Sequence, residues 1–286
     1  MPPEEHSKIS PSSLERTILC PPSLLINEKY PNEDTIYTTE GTTAHALAEI
    51  ALRSIFELPL EKEMKGVIEG ATGEMVANAV KYANFVVGRV NRIIEKTGCS
   101  SSDIHIYPER RLDIDKYIPG CYGTADCAIT SPERLVIVDY KYGYNKVPAS
   151  GSPLLQQAFG YNANVQLSAY AAGLYDTLSD EQKKNIKAIE IYIFQPRAKG
   201  GAYAAGMGMS TSALTRFMSE AKDKVAIAVK GEGNIRAGEH CRFCKHKKNC
   251  TEYLIYCNGG YRSPAPGGFV DNPLKDDFDD LSILSF

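Results

Sequence analysis

Three consecutive β-rich segments constrain the fold of this chain more than any other feature of its sequence. They are "DIHIYPERRLDI" (103–114), "GCYGTADCAIT" (120–130) and "RLVIVDYKYG" (134–143), separated by short stretches that contain Pro, Gly or Ser. Short alternating or continuously apolar runs bounded by such residues are typical of neighbouring β-strands. The third segment is apolar on both faces, so it is predicted to lie buried near the centre of a sheet.

Helical patterns precede these strands. The segment 10–31 predicts two short helices broken at Pro21–Pro22, the first capped by Ser12 or Ser13 and the second starting at Ser23. The segment 40–57 has helical apolar spacing, with Thr42 or Thr43 as its cap. A wide apolar stripe predicts a long helix over 73–95, ending before Gly98.

Helices and strands alternate again after the third strand. A helix is predicted within 154–178, with a late start because Gly160 and two asparagines weaken its first part. A strand follows at 187–196 and another helix at 210–230. This order predicts an α/β fold, with a central mixed sheet flanked by helices.

Composition and charge narrow the class of protein. The chain has 286 residues, is 43% hydrophobic and carries a formal net charge of -3, which argues against coating nucleic acid by bulk charge but permits a local basic channel. No apolar run approaches the roughly 20 residues that span a bilayer, and the polar start does not resemble a signal peptide. A cytoplasmic location without membrane attachment is therefore expected. In that compartment the eight cysteines are better explained as metal ligands and buried thiols than as disulfides.

Two carboxylates and a lysine occur on the second and third strands. Asp139 and Lys141 are two residues apart, so on a strand they point to the same face, and a neighbouring strand can bring Asp126 beside them. Two adjacent carboxylates repel unless a divalent cation neutralises them. The arrangement therefore predicts a magnesium or manganese site.

The order of these residues resembles a known nuclease pattern. Gly123-x-x-Asp126 followed by Asp139-Tyr140-Lys141 resembles the PD-(D/E)xK nuclease superfamily, and especially its RecB-type branch. Two further motifs match that branch in order, "GTTAHALAE" upstream and "QLSAY" downstream. They contribute His45, Gln166 and Tyr170.

The resemblance implies a role for each matching residue. Lys141 would orient the attacking water or stabilise charge on the phosphate, while Gln166 and Tyr170 would hold that lysine or the substrate backbone. The metal ligands would be His45, Asp126, Asp139 and the backbone carbonyl of Tyr140.

Each motif taken alone also has a plainer interpretation. A D-x-K pair on a strand is commonly a surface ion pair, a helical histidine is often a packed polar residue, and a Gln/Tyr pair can be an ordinary helix face. Glu109 is either a further site carboxylate or a surface charge beside Arg110 and Arg111. Glu49 either orients His45 from one turn away or is solvated.

The remaining motif is a cysteine pattern in "CRFCKHKKNC" (241–250). Cys241, Cys244 and Cys250 have a spacing that suits zinc or an iron–sulfur cluster, with His246 or Cys257 as local candidates for a fourth ligand. On spacing alone, structural zinc is favoured.

The nuclease resemblance changes this comparison. One RecB-type subset carries a [4Fe-4S] cluster bound by one cysteine before the nuclease core and three after it, and Cys20 occupies the first position here. The implied layout is an N-terminal helical segment (1–40), a RecB-type core (41–230), a cysteine segment (231–260) and a flexible acidic tail (261–286).

The overall pattern resembles compact RecB-type exonucleases of phages and mobile elements. The resemblance implies hydrolysis of DNA phosphodiesters at single strands or free ends, in recombination, replication or DNA degradation. The alternative is a non-catalytic DNA-binding or assembly protein that retains the fold and the cluster.

Two segments are candidate DNA contacts. The basic run at 242–248 either contacts DNA or forms a solvated shell, and the tyrosines at 140, 142 and 144 either stack on bases or pack as ordinary strand residues. The tail either binds a replication or recombination protein or is disordered.

Overall fold

The computed structural model describes residues 9–31, 36–60 and 70–259. The predicted acidic tail and its partner contacts lie outside these ranges. No helix in the described part of the chain is long and apolar enough to cross a membrane.

A five-stranded mixed sheet forms the centre of the protein, with the strands in sequence order across the sheet. The pairs β1–β2, β2–β3 and β4–β5 are antiparallel, whereas β3 and β4 are parallel. The parallel pair requires a crossover, which three helices supply. The strands are β1 His105–Asp113, β2 Tyr122–Thr130, β3 Arg134–Tyr140, β4 Ala188–Gln195 and β5 Tyr203–Met209.

Helices cover both faces of the sheet, which confirms the predicted α/β class. One core lies between the sheet and α1, α6 and α8, and the other lies beneath α3 and α4. β3 is the middle strand and is buried from Leu135 to Tyr140, as its apolar sequence predicts. The helices are α1 Pro11–Leu19, α2 Ser23–Glu28, α3 Ile36–Ile55, α4 Gly73–Thr97, α5 Pro153–Phe159, α6 Val165–Asp176, α7 Asp180–Asn185, α8 Thr211–Val229 and α9 Thr251–Cys257.

Two predicted helix starts are wrong. The first helix is preceded by Ser10, because Pro11 occupies the first helical position, where its fixed φ and missing N–H are tolerated. α3 begins at Ile36, so Thr42 and Thr43 lie inside the helix rather than at its start. There Thr43 Oγ1 donates to the carbonyl oxygen of Thr39, a bond that lets a threonine remain within a helix.

The region 153–178 is two helices instead of one. Gly160, at φ 60°, ends α5, and the Asn164 side chain accepts from Leu167 N to start α6. α7 and β5 were not anticipated. β5 contains the run "AAGMGM", which has weak strand propensity, and it forms because its backbone pairs with β4 along its own whole length.

Candidate active site

The candidate site lies where β2 and β3 separate. The two strands pair from Thr130–Leu135 as far as Cys127–Val138, and the pairing ends there. Beyond that point the backbone N–H of Tyr140 donates to Asp126 Oδ2 at 2.6 Å. A side-chain carboxylate thus replaces the next bond of the ladder, which fixes Asp126 at the mouth of the gap.

His45 reaches this gap from α3. Its Nδ1 lies 3.1 Å from Asp126 Oδ1, and its ring packs edge-on against Tyr140 with centroids 5.5 Å apart. Burial alone would lower the pKa of His45, but the neighbouring Asp126 outweighs it and raises that pKa to about 9. In return the imidazolium holds the pKa of Asp126 below its usual value against the effect of burial.

Glu109 belongs to the same group, which favours its interpretation as a site residue over a surface charge. It lies opposite Asp126, between the paired residues Pro108–Cys127 and Arg110–Ala125. Its φ is +45°, an unfavourable value for a non-glycine residue and one often found at functional sites. Burial and the charge of Asp126 raise the pKa of Glu109 to about 8.

Asp139 and Lys141 form an ion pair beside this group, with the carboxylate buried and the lysine partly exposed. Lys141 Nζ lies 3.2 Å from Oδ1 and 3.0 Å from Oδ2 of Asp139, and Asp139 is only 3% exposed. Lys141 follows the end of β3, and its backbone N–H donates to the carbonyl oxygen of Phe194. Burial would lower the pKa of Lys141, but Asp139 and Asp126 reverse the effect and raise it, so the side chain is a cation.

These residues suit a divalent cation. His45, Glu109 and Asp126 each offer one donor atom, and the three atoms lie within 4.8 Å of one another. Asp139 Oδ2 is buried and receives no well-directed hydrogen bond from the described residues. Burial raises the pKa of Asp139 to about 6. Carboxylate oxygens and one imidazole nitrogen are ligands that magnesium or manganese accepts. For Tyr140 the structure records the N–H bond to Asp126, and metal ligation by its carbonyl stays a prediction.

Gln166 and Tyr170 lie one turn apart on α6, as predicted. Gln166 Nε2 donates to Tyr170 Oη at 3.4 Å, so the two side chains form a pair. Burial raises the pKa of Tyr170, with the three site carboxylates nearby adding to the effect. Tyr170 is therefore a neutral hydroxyl close to the acidic group.

Gly123, the first residue of the Gly-x-x-Asp motif, lies too close to neighbouring side chains to leave room for a side chain of its own. A Cβ at this position would lie 3.0 Å from Tyr170 Cε1 and 3.0 Å from two ring carbons of Pro11. Gly123→Ala is therefore expected to lower the free energy of unfolding by about 1–3 kcal/mol, the usual cost of overpacking, as measured by urea denaturation. The matched control is Gly88→Ala in α4, where nothing lies within 4 Å and alanine should be neutral or stabilising. Equal stability of the two variants would contradict the close approach.

Glu49 faces a different partner. Its Oε1 accepts from Arg53 Nε at 2.8 Å, a bond between residues one turn apart on α3. The orientation of His45 by Glu49 stays a prediction.

Cysteines from two distant parts of the chain, Cys20 and the three in the segment 241–250, line one small cavity. Cys20, at the end of α1, meets the turns that carry the other three. Burial raises the pKa of Cys241 to about 11, and the surrounding thiols act in the same direction. His246 also lines the cavity, but its Nδ1 lies 2.6 Å from Tyr30 Oη. The lining cysteines are Cys20, Cys241, Cys244 and Cys250.

Polar groups surround these thiols. Asn27 Nδ2 donates to Cys244 Sγ at 3.4 Å, and Asn27 Oδ1 accepts from the backbone N–H of Lys245. Arg16 donates from one terminal nitrogen to the carbonyl oxygen of Phe243, but its Nε is buried without a hydrogen-bond partner in the described chain. An anionic group in the cavity would supply that missing acceptor, so the donor set fits a thiolate-bound metal centre.

Two residues near the site were missed in the sequence. Gln195 ends β4 and binds the loop that follows Lys141 with both ends of its amide, while Arg197 packs against the tyrosines of that loop. A glutamine inside the apolar segment "IEIYIFQP" was the available signal, because a buried amide needs hydrogen-bond partners.

The chain matches a family model along most of its length. The model is described as "Protein of unknown function (DUF2800)", and it covers residues 6–256. The chain belongs to this family. The matched part of this DUF2800 protein includes both the carboxylate group and all four cavity cysteines.

Three solved structures resemble this DUF2800 chain. A candidate exonuclease from Eubacterium rectale is 11% identical with a TM-score of 0.41, covering 90% of this chain and 94% of that one. The alkaline exonuclease LHK-Exo from Laribacter hongkongensis is 10% identical with a TM-score of 0.28, covering 78% and 89%. The protein SSO0001 is 12% identical with a TM-score of 0.28, covering 85% and 96%.

Proposed function

We propose that this protein is a metal-dependent DNA nuclease of the RecB-type PD-(D/E)xK class. One observation carries the proposal, namely that a cationic lysine and three acidic side chains meet a histidine at the gap between β2 and β3. Neighbouring buried carboxylates repel one another, so their convergence beside a cation is best explained by a bound divalent ion and an anionic substrate. The proposed substrate is DNA with single strands or free ends, hydrolysed exonucleolytically in the cytoplasm.

The proposed metal ligands are His45, Asp126 and Asp139, with Glu109 as a further carboxylate donor. His45 would bind the ion as neutral imidazole, so its proton would be released when the metal binds. A bound magnesium or manganese ion would lower the pKa of a coordinated water and neutralise charge on the phosphate. The protein's own part is to hold the donors in place. The Tyr140 N–H fixes one oxygen of Asp126, and its other oxygen contacts His45.

Lys141 supplies the positive charge that the reaction requires. Its raised pKa keeps it protonated, so it serves as a donor to a phosphate oxygen or to the attacking water, and not as a base. Asp139 anchors the ammonium group of Lys141, and the Phe194 carbonyl oxygen accepts from the backbone N–H of Lys141. Gln166 and Tyr170 line the same region as neutral hydrogen-bonding groups.

A [4Fe-4S] cluster bound by Cys20, Cys241, Cys244 and Cys250 is the proposed occupant of the cysteine cavity. One cysteine before the nuclease core and three after it is the arrangement of the iron–sulfur subset of RecB-type nucleases, and all four thiols line one cavity. In such a cluster each cysteine would bind a different iron. The cluster would join α1 to the C-terminal segment.

A cleavage assay on labelled single-stranded and duplex DNA tests the proposed activity. With manganese the wild type should shorten the DNA from an end, and the reaction should stop when a chelator removes the metal. Asp126→Asn should lower the rate at least about 100-fold, because it removes a ligand charge from the site.

The matched control for that variant is Asp113→Asn. Asp113 lies at the exposed end of β1, where its carboxylate accepts from the backbone N–H of Asp115, a bond that asparagine can also accept. This variant should keep wild-type activity. A wild type that binds DNA without cutting it under any divalent metal would instead favour the non-catalytic DNA-binding alternative.

A further inference from the structure

The loop that follows Lys141 is hydrogen-bonded to a side chain at the end of β4. We refer to residues 142–147 as the platform loop. Gln195 is 0% exposed, and its Nε2 donates to the carbonyl oxygens of Gly143 and Asn145 while its Oε1 accepts from Val147 N. Every polar atom of this buried side chain therefore engages the backbone of the loop. Such a side chain fixes the conformation of the loop rather than merely packing beneath it.

Arg197 fixes the aromatic side chains of the same loop. Its guanidinium lies 4.4 Å from the ring centroids of both Tyr142 and Tyr144, and it donates to the Tyr144 hydroxyl. Its charge is balanced by Glu40 at 2.6 Å and Glu74 at 3.5 Å. Two carboxylates pair with Arg197 and its side chain is only 9% exposed. Arg197 therefore holds the two tyrosine rings in place and is not available to bind a phosphate.

The platform loop exposes one aromatic ring in an open groove. Tyr144 is 57% exposed although its ring is held by Arg197, and it lines a groove of about 550 Å³. Lys81 and Lys199 line the same groove; Lys81 Nζ donates to the Asn78 amide oxygen, and the groove's carboxylate, Glu74, pairs with Arg197. The groove therefore combines a rigid aromatic face with available positive charge, the two features that bind unpaired nucleic acid.

Buried aromatic side chains pack in series between the platform loop and the candidate active site. The Tyr142 ring lies 6.0 Å from Tyr140, whose ring packs against His45. We propose that the platform loop is a preformed subsite for an unpaired DNA strand and that this subsite adjoins the scissile phosphate. The proposal rests on the proposed nuclease function. A base stacks on Tyr144, and Lys81 and Lys199 contact the phosphates on either side of it.

Binding without cleavage tests this subsite. Fluorescence anisotropy with a labelled single-stranded oligonucleotide would be measured in an Asp126→Asn background, so that the DNA stays intact. Tyr144→Ala should weaken binding about 10-fold, the loss expected for one stacked base. Tyr144→Phe keeps the ring and should bind within threefold of the parent. Lys199→Gln should weaken binding and reduce the salt dependence by about one phosphate contact.

The outcomes separate this inference from the nuclease proposal. Equal affinities of Tyr144→Ala and Tyr144→Phe would overturn the subsite, as would an equal loss of affinity for blunt duplex DNA. If the wild type cleaves DNA while Tyr144→Ala binds like its parent, only the subsite is rejected. If the wild type never cleaves but single-strand binding depends on the Tyr144 ring, the nuclease proposal fails and the subsite stands.

Discussion

Replacement of Lys141 by alanine is expected to lower the rate of DNA cleavage about 10³-fold. A positioned donor to a developing oxyanion contributes roughly 10²–10³ to kcat, and Lys141 also provides a full positive charge at a buried site. The loss should fall mainly on kcat, since the donor acts on charge that develops during the reaction. Manganese-dependent cleavage of a labelled oligonucleotide, followed over a range of DNA concentrations, measures both kcat and KM.

Two further variants keep this prediction interpretable. Lys141→Ala leaves Asp139 buried without its cation, which can destabilise the protein by about 3–5 kcal/mol, so Lys141→Gln, which keeps a hydrogen-bond donor for Asp139 without the charge, provides a second comparison if the alanine variant unfolds. Lys187→Ala is the matched control, because Lys187 is 70% exposed and pairs with Glu133 on the surface. Wild-type cleavage by a folded Lys141→Ala protein would remove Lys141 from the mechanism.

Replacement of Cys20 by serine is expected to abolish binding of the proposed metal centre and lower the Tm by roughly 10 °C. A cross-link that closes a long loop stabilises a protein by about 4–5 kcal/mol, and each kcal/mol corresponds to about 2–4 °C in a domain of this size. Serine retains the volume but offers no thiolate. Anaerobic purification followed by iron and zinc analysis, a visible absorption spectrum and thermal unfolding provides the three measurements.

Cys257→Ser is the matched control for that experiment. Cys257 is exposed and lies outside the set of residues that line the cysteine cavity. Its substitution should leave the metal content and the Tm unchanged. Loss of metal from Cys257→Ser but not from Cys20→Ser would identify the local cysteine as the fourth ligand, and stoichiometric zinc in the wild type would reject the iron–sulfur cluster.

The strands of the site were predictable because their side chains carry a local signal. The apolar run of β3 indicated a buried central strand, and the alternation and glycine spacing of β2 located the strand that carries Asp126. Helix α4 was also predictable within two residues at its end, because Thr72 caps its start and Gly98, at φ 68°, ends it. Each of these features depends on residues that are neighbours in sequence.

The membership of Glu109 in the candidate site could not be predicted from its sequence neighbours. Its neighbours Arg110 and Arg111 are consistent with an exposed strand end, and only the β1–β2 register brings its carboxylate opposite Asp126. β5 is a similar case, since its small residues have little strand propensity and its backbone is organised by pairing with β4. Gln195 and Arg197 also act only through a loop that lies some 50 residues earlier in the sequence.

The sequence by itself determined the α/β class and the order of the site motifs, while Cys20 was joined to the three later cysteines only through the nuclease resemblance. Residue types and short spacings carry the first two features, because periodicity and local hydrogen bonding fix each element separately. Only the tertiary structure decided that Glu109 joins His45 and Asp126 and that Gln195 fixes the platform loop. Those contacts join distant segments, and their geometry follows from strand register and burial, which no single segment specifies.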